Sequence, residues 1–256
     1  MRLGYFPGCS LTGTAREYDL SLHAVMNRLD VRLEEIEDWS CCGASSAHSS
    51  NHMLALALPA RNFALAHAQG FEAIVAPCAA CYNRLVCTKH ALESDPAVHE
   101  KVAETLGEEF SHDASVMNII QLFQHLGTEK LEALRVRSLE GLHAACYYGC
   151  LLLRPADIVR FDDPESPSSM ETLLKSVGVS SVDWNFGTEC CGAAHSIART
   201  DIVLDLSSRI IEDARMHGAN VIVVACPMCQ SNLDMRQRAM QPHDGGAADI
   251  PILYLS

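Results

Sequence analysis

The chain has 256 residues, 48% of them hydrophobic, which is enough for one large domain or two of roughly half that size. A formal net charge of −13, with only 19 Lys and Arg thinly spread, excludes a polyanion such as nucleic acid as an expected partner. The apolar runs are too short or too interrupted by Arg, His or Pro for a membrane span, and residues 1–9 lack the long apolar stretch of a signal peptide.

In chain order, Leu3 to Phe6 reads as a short strand delivering Pro7-Gly8-Cys9 at its C-terminal end. Thr14-Ala-Arg-Glu17 has the form of a capping box, and the helix after it places Tyr18, Leu22, Val25 and Leu29 on one face. Val31 to Ile36 reads as a second strand, leading to Trp39 and to Ser40-Cys41-Cys42-Gly43. Ser45 to Ser50 reads as a polar loop, and about 51–69 as a helix that Pro59 should kink. Gly70 closes it, and Phe71 to Ala76 is a buried strand whose end carries Cys78-Ala-Ala-Cys81, placed to open the next helix.

Residues from about 91 to 140 hold no cysteine. They read as a charged, mostly helical connector over Val102 to Phe110, Ile119 to Leu126 and Leu131 to Val136. The plan then returns. A strand from His143 to Tyr148 precedes Gly149-Cys150, and a turn-rich stretch follows at Asp162 to Pro167. Ser168-Ser-Met-Glu171 is a second capping box, and its helix closes at Gly178. Val182 to Trp184 leads to Cys190-Cys191-Gly192. After a helix over about 199–216, Gly218 and the apolar run 221–225 end in Cys226-Pro-Met-Cys229.

Aligned, the halves repeat Gly-Cys, Cys-Cys-Gly and C-x-x-C, with 31 and 35 intervening residues in the first and 39 and 34 in the second. Gly70 and Gly218 each precede the C-x-x-C by eight residues. This is a duplication with a period of about 145 residues, and pseudo-two-fold halves are expected. Strands that alternate with helices and carry ligands at their ends predict an α/β fold of two pseudo-symmetric, Rossmann-like βαβ modules. The first spans residues 1–136 and the second 137–256, with the boundary zone at Gly127 to Ser138.

Twelve cysteines without a secretory signal point to a reducing cytoplasm, and so to metal ligation or redox chemistry rather than disulfides. Cys87 and Cys146 lie outside the repeat and read as buried apolar residues. The two C-x-x-C pairs could pool into one zinc site, but that leaves both vicinal pairs unused. A [4Fe–4S] cubane needs four thiolates, and each half supplies five, a surplus that favours a modified cluster. His48 and His195, after the two Cys pairs, are candidate proton donors. Arg154 is a candidate holder of an anionic substrate group. Trp39 and Trp184 are placed to wall the sites.

Phe6-Pro-Gly-Cys9, Cys41-Cys42-Gly43, Cys78-Ala-Ala-Cys81-Tyr-Asn-Arg84, Tyr148-Gly-Cys150-Leu-Leu-Leu-Arg-Pro155, Cys190-Cys191-Gly192 and Cys226-Pro-Met-Cys229 resemble the tandem cysteine-rich, or CCG, domain. The resemblance extends, over essentially the whole chain, to the family of the heterodisulfide reductase B subunit. It implies one noncubane [4Fe–4S] cluster per half. The ligands would be Cys9, Cys41, Cys42, Cys78 and Cys81 in the first half, and Cys150, Cys190, Cys191, Cys226 and Cys229 in the second. It further implies cleavage of a disulfide (coenzyme M–S–S–coenzyme B in methanogenesis) between facing clusters. The implied partners are the ferredoxin-like C and flavoprotein A subunits of a heterodisulfide reductase complex. The same group includes iron–sulfur electron-transfer subunits of thiol:fumarate reductase and of quinone-linked succinate, glycolate or lactate dehydrogenases. A zinc scaffold is the remaining alternative.

Overall fold

The computed structural model describes residues 1–240 and 249–256. It divides into two compact units, Met1–Leu122 with Arg154–Val159, and Phe123–Leu153 with Arg160–Ser256.

The first unit runs β1 (Arg2–Tyr5), α1 (Gly8–Leu11), α2 (Arg16–Arg28), β2 (Arg32–Glu35), α3 (Ser46–Ser50), α4 (His52–Ala68), β3 (Ala73–Val75), α5 (Ala79–Ser94), α6 (Pro96–Leu106) and β4 (Ser115–Met117). After α7 (Ile119–Leu126) and α8 (Thr128–Leu134), the chain runs β5 (His143–Tyr147), α9 (Ala156–Val159), α10 (Ser169–Ser176) and β6 (Ser180–Ser181). It continues with α11 (Thr200–Met216), β7 (Val221–Val224), α12 (Pro227–Asp234) and β8 (Ile252–Tyr254). By its contacts α9 belongs to the first unit, against α5.

Both sheets are fully parallel and share one strand order, β2-β1-β3-β4 and β6-β5-β7-β8. Parallel neighbours require crossover helices, which cover the faces and make the central strands apolar on both sides. All four residues of β7 are buried. In this order the chain leaves the first strand to one side and returns on the other. A crevice therefore opens at the carboxyl ends of β1 and β3, and likewise of β5 and β7. Every repeated cysteine follows a strand end at that edge.

The first core is built on Tyr5, Phe6, Tyr18, Leu22, Met26 and Phe63, all at most 1% exposed. Each such side chain contributes roughly 1.5–3 kcal/mol of burial. A smaller cluster of Leu56, Ala60, Leu92 and Val102 joins α4, α5 and α6.

Four local expectations are corrected. Neither capping box forms. α2 starts after Ala15 with no side-chain cap, and Ser168 makes none at α10. Asp162 takes that place, its carboxylate accepting from the Ser168 and Ser169 amides at 3.1 and 2.9 Å. Glu171 is therefore free to turn inward. Ser45 to Ser50 is not a loop: buried Ala47 anchors a turn of helix closed by His48 N–H to Gly43 O and Asn51 N–H to Ala47 O. The 91–140 connector is not only helical, because it supplies β4, the outer strand of the first sheet. Its helix starts earlier than its apolar period suggests, with Asp95 capping Ala97 N–H at 2.9 Å and Pro96 in the first turn, and it ends at Gly107.

Candidate metal centres

In the first unit, Phe6 N–H bonds Val75 O and Ile36 N–H bonds Tyr5 O, so the three strand ends are fixed in register just before their cysteines. Gly8 takes a left-handed φ of +63°, and a Cβ there would stand 2.9 Å from Cys81 Sγ. Only glycine lets the Cys9 turn approach the last cysteine so closely. Asn62 of α4, fully buried, clamps the residue before the vicinal pair. Its Oδ1 accepts from Ser40 N–H at 2.8 Å and its Nδ2 donates to Ser40 O at 2.9 Å. Gly43 N–H points at Cys41 Sγ at 3.4 Å, and Cys42 and Cys81 sulfurs are 3.2 Å apart. Cys78 caps α5, at whose N-terminus backbone N–H groups favour thiolate.

The second unit repeats this frame with different supports. Gly149 has φ +64°, and its Cβ would lie 3.4 Å from Cys229 Sγ. Tyr148 and Gly149 N–H both bond Gly187 O, and Tyr147 OH donates to Glu189 O at 2.6 Å. Gly192 N–H points at Cys190 Sγ at 3.3 Å, and Cys191 and Cys229 sulfurs are 3.7 Å apart. Buried Asn232 donates to Cys191 O at 3.3 Å and toward Cys191 Sγ at 3.6 Å. Cys226 caps α12.

The thiols of each set act on one another. Hydrogen bonds from the Cys41 and Cys81 thiols hold Cys42 well below the ordinary thiol range, and a bond from the Cys229 thiol lowers Cys191. The donors move the other way: Cys41 and Cys81 are raised by their bonds to Cys42, and Cys229 by its bond to Cys191. Cys150 is raised and Cys190 lowered by the bond between them. Cys9 and Cys78 complete the first set through their charge on Cys41 and hydrogen bond to Cys81, and Cys226 the second through its bond to Cys229. Cys9, Cys41 and Cys190 are exposed, and the C-x-x-C thiols are buried.

Five soft donors from three loops suit a thiolate-bound iron–sulfur group. Among the described residues no three His, Cys, Asp or Glu have the geometry of a single-ion site. A cluster spreads its thiolates over several irons, so mutual proximity rather than convergence on one point is what its donors need.

The other candidate residues fall differently. His48 is exposed, its N–H on Gly43 O at 2.9 Å and its Nδ1 2.7 Å from an Arg84 nitrogen. His195 ends a short 3-10 helix, with its N–H on Gly192 O at 2.8 Å, and its charge helps lower Cys190. Arg154 lies with the first unit, its carbonyl accepting from Asn83 of α5 at 2.7 Å. The Trp39 ring meets Phe6 edge-on at 5.4 Å, and the Trp184 ring lies 6.3 Å from that of Tyr147. Cys146 is buried, and burial and then Glu171 raise its thiol; Cys87 is half-buried beside Asn83. Asn62, Asn232 and Arg84 carry roles that their residue types alone did not announce.

The CCG family, a cysteine-rich domain, matches residues 3–86 and 144–234, well over half of the sequence. The chain belongs to the CCG family. A protein of Wolinella succinogenes named as the membrane anchor of 8-methylmenaquinol:fumarate reductase is 30% identical, over 98% of this CCG chain and 88% of its own. The B subunit of a ferredoxin/F420H2-dependent CoB–CoM heterodisulfide reductase of Methanosarcina acetivorans is 29% identical over 100% and 87%. A protein of Archaeoglobus profundus, named as like the heterodisulfide reductase B subunit, is 26% identical over 100% and 88%. Among solved structures, a hypothetical protein from Helicobacter pylori shares the fold, with a TM-score of 0.65 and 12% identity over 99% of this chain, which spans 47% of that longer one. No described helix is long and apolar enough to cross a membrane.

Proposed function

We propose that each unit holds one noncubane [4Fe–4S] cluster, and that the chain is the catalytic subunit of a heterodisulfide reductase complex reducing a disulfide to two thiols. The ligands are Cys9, Cys41, Cys42, Cys78 and Cys81, and Cys150, Cys190, Cys191, Cys226 and Cys229. One observation carries the reading: each unit gathers five thiols where a cubane requires four.

The reaction is RSSR′ + 2e⁻ + 2H⁺ → RSH + R′SH. When bound, the clusters supply one electron each. The chain contributes the rest. Gly43 and Gly192 N–H stabilise one thiolate per set, and the exposed Cys9, Cys41 and Cys190 leave one side of each set open to a small molecule. His195, at the surface beside Cys190, is the candidate proton donor, and Arg154 a candidate anion contact. The partners follow from the likeness to the heterodisulfide reductase relatives: a ferredoxin-like protein and a flavoprotein, the C and A subunits of such a complex, in the cytoplasm.

A second reading is favoured by the fumarate reductase relative at 30% identity. It makes the chain an iron–sulfur electron-transfer component of a quinone-linked oxidoreductase. Metal and acid-labile sulfide analysis comes first, with about eight irons expected for two four-iron clusters and zinc alone sinking both readings. EPR then separates the two. A cluster signal altered by coenzyme M, coenzyme B or their disulfide supports disulfide reduction. A signal indifferent to every thiol and disulfide, yet reduced by a menaquinol analogue, supports the second.

A further inference from the structure

Arg84 stands three residues after Cys81 on α5, one turn along the same side of the helix. The chain has 32 acids against 19 basic residues, and Arg2, Arg32, Arg61, Arg199 and Arg209 each pair with a carboxylate. Arg84 has no ion pair among the described residues. Its Nη1 donates to His48 Nδ1 at 2.7 Å, and its Nε is buried without an acceptor. A guanidinium only donates, so His48 Nδ1 accepts, and the ring proton sits on Nε2. His48 is in turn tied to the Cys-Cys-Gly turn through Gly43 O. A permanent cation is thus braced between the two elements that carry Cys42 and Cys81.

The second unit carries no cation at the corresponding helix position. Three residues after Cys229 stands Asn232, neutral, 1% exposed and fully engaged: it donates to Cys191 and accepts from Ser196 OH at 3.0 Å.

We propose that Arg84, oriented by His48, forms an anion subsite beside the first cysteine set and takes the carboxylate, sulfonate or phosphate group of an acidic thiol or disulfide. The inference rests on the disulfide reading above and deepens it. A guanidinium edge takes two oxygens of such a group in parallel, which an ammonium cannot match. Of an unsymmetrical disulfide, the acidic end is therefore the one assigned to the first set.

The test uses the intact, cluster-loaded protein and two thiols of equal arm length, 2-mercaptoethanesulfonate and the uncharged 2-mercaptoethanol. Binding is read from the change in EPR signal. The wild type should prefer the sulfonate by about 10-fold, the worth of one charge-assisted contact. Arg84→Gln should bring the ratio to about one with iron content unchanged, Arg84→Lys should keep part of it, and His48→Ala should lower it less than Gln does. A ratio unaltered in Arg84→Gln overturns the subsite. If neither these thiols nor any other thiol or disulfide alters the wild-type signal, the disulfide reading fails, and calorimetry with inorganic sulfate decides on Arg84 alone. Sulfate bound by wild type and lost in Arg84→Gln upholds the anion subsite; equal behaviour of the two proteins overturns it. Should Arg84→Gln not load iron, Arg84→Lys and His48→Ala carry the same comparisons.

Discussion

The two units share five cysteines, one strand order and the same pair of left-handed glycines, yet the polar residues around the cysteines differ. The first set is braced by Asn62 on the chain before the vicinal pair and by the Arg84–His48 contact beyond it. The second is braced by Asn232 on Cys191 itself and by Tyr147 on Glu189. Duplication preserved the donors and the backbone that delivers them, while the electrostatic surroundings diverged. Two like centres bound in such unlike surroundings would differ in potential and in affinity for charge, because hydrogen bonds to sulfur and nearby charge set both.

Removing one acceptor thiol per unit breaks the comparison most strongly. Cys42→Ser and Cys191→Ser should each abolish one centre, lowering iron from about eight to about four per chain, as elemental analysis will show. The glycines come next. Gly8→Ala and Gly149→Ala both place an alanine at positive φ, at a cost of about 1–2 kcal/mol each. Gly8→Ala should be the worse in denaturant midpoint and iron content, because its Cβ meets sulfur at 2.9 Å rather than 3.4 Å. Equal losses would mean that the backbone conformation alone matters.

The amides sharpen the contrast. Asn62→Ala strands the Ser40 N–H and should cost about 1–3 kcal/mol of stability. Asn232→Ala should cost a similar amount and also shift one cluster's reduction potential in an EPR-monitored titration, since only it bonds a cysteine sulfur. The smallest effect is on pH dependence. Burial holds the Glu171 carboxyl above its ordinary 4.5, despite the bond it accepts from Tyr148 OH at 2.5 Å. The folded chain therefore keeps a proton that the unfolded chain has released, and stability falls as pH rises from about 4.5 through the folded value. Glu171→Gln should flatten that slope in urea melts; an unchanged slope would place its origin elsewhere.

What the residue pattern disclosed follows from what is local. The glycine-to-cysteine strands are continuous apolar runs that end in a ligand, and β3 and β7 are found there. The gathering of each five-cysteine set was legible because a parallel sheet sends all its strand ends to one edge. The edge strands β4 and β8 were not, since neither leads into a cysteine of the repeat and three residues alone cannot display a period. Thr14 and Glu171 misled for a different reason. A capping box is a local preference: α2 simply starts one residue later, after Ala15, and at the second box the Asp162 carboxylate and the Tyr148 hydroxyl take the two partners instead. Asn62, Asn232 and Arg84 look like ordinary helix residues until the fold shows what stands opposite them.

The helix α9 carries a consequence for biosynthesis. It follows Cys150 in the chain, yet it packs on α5 and completes the first unit. During vectorial synthesis that unit remains open along α5 after its last cysteine has emerged, until residue 159 follows. All five cysteines of the first set are therefore made before their own unit closes, and a chain cut at the repeat boundary would leave α5 packed on α4 and α6 but without α9.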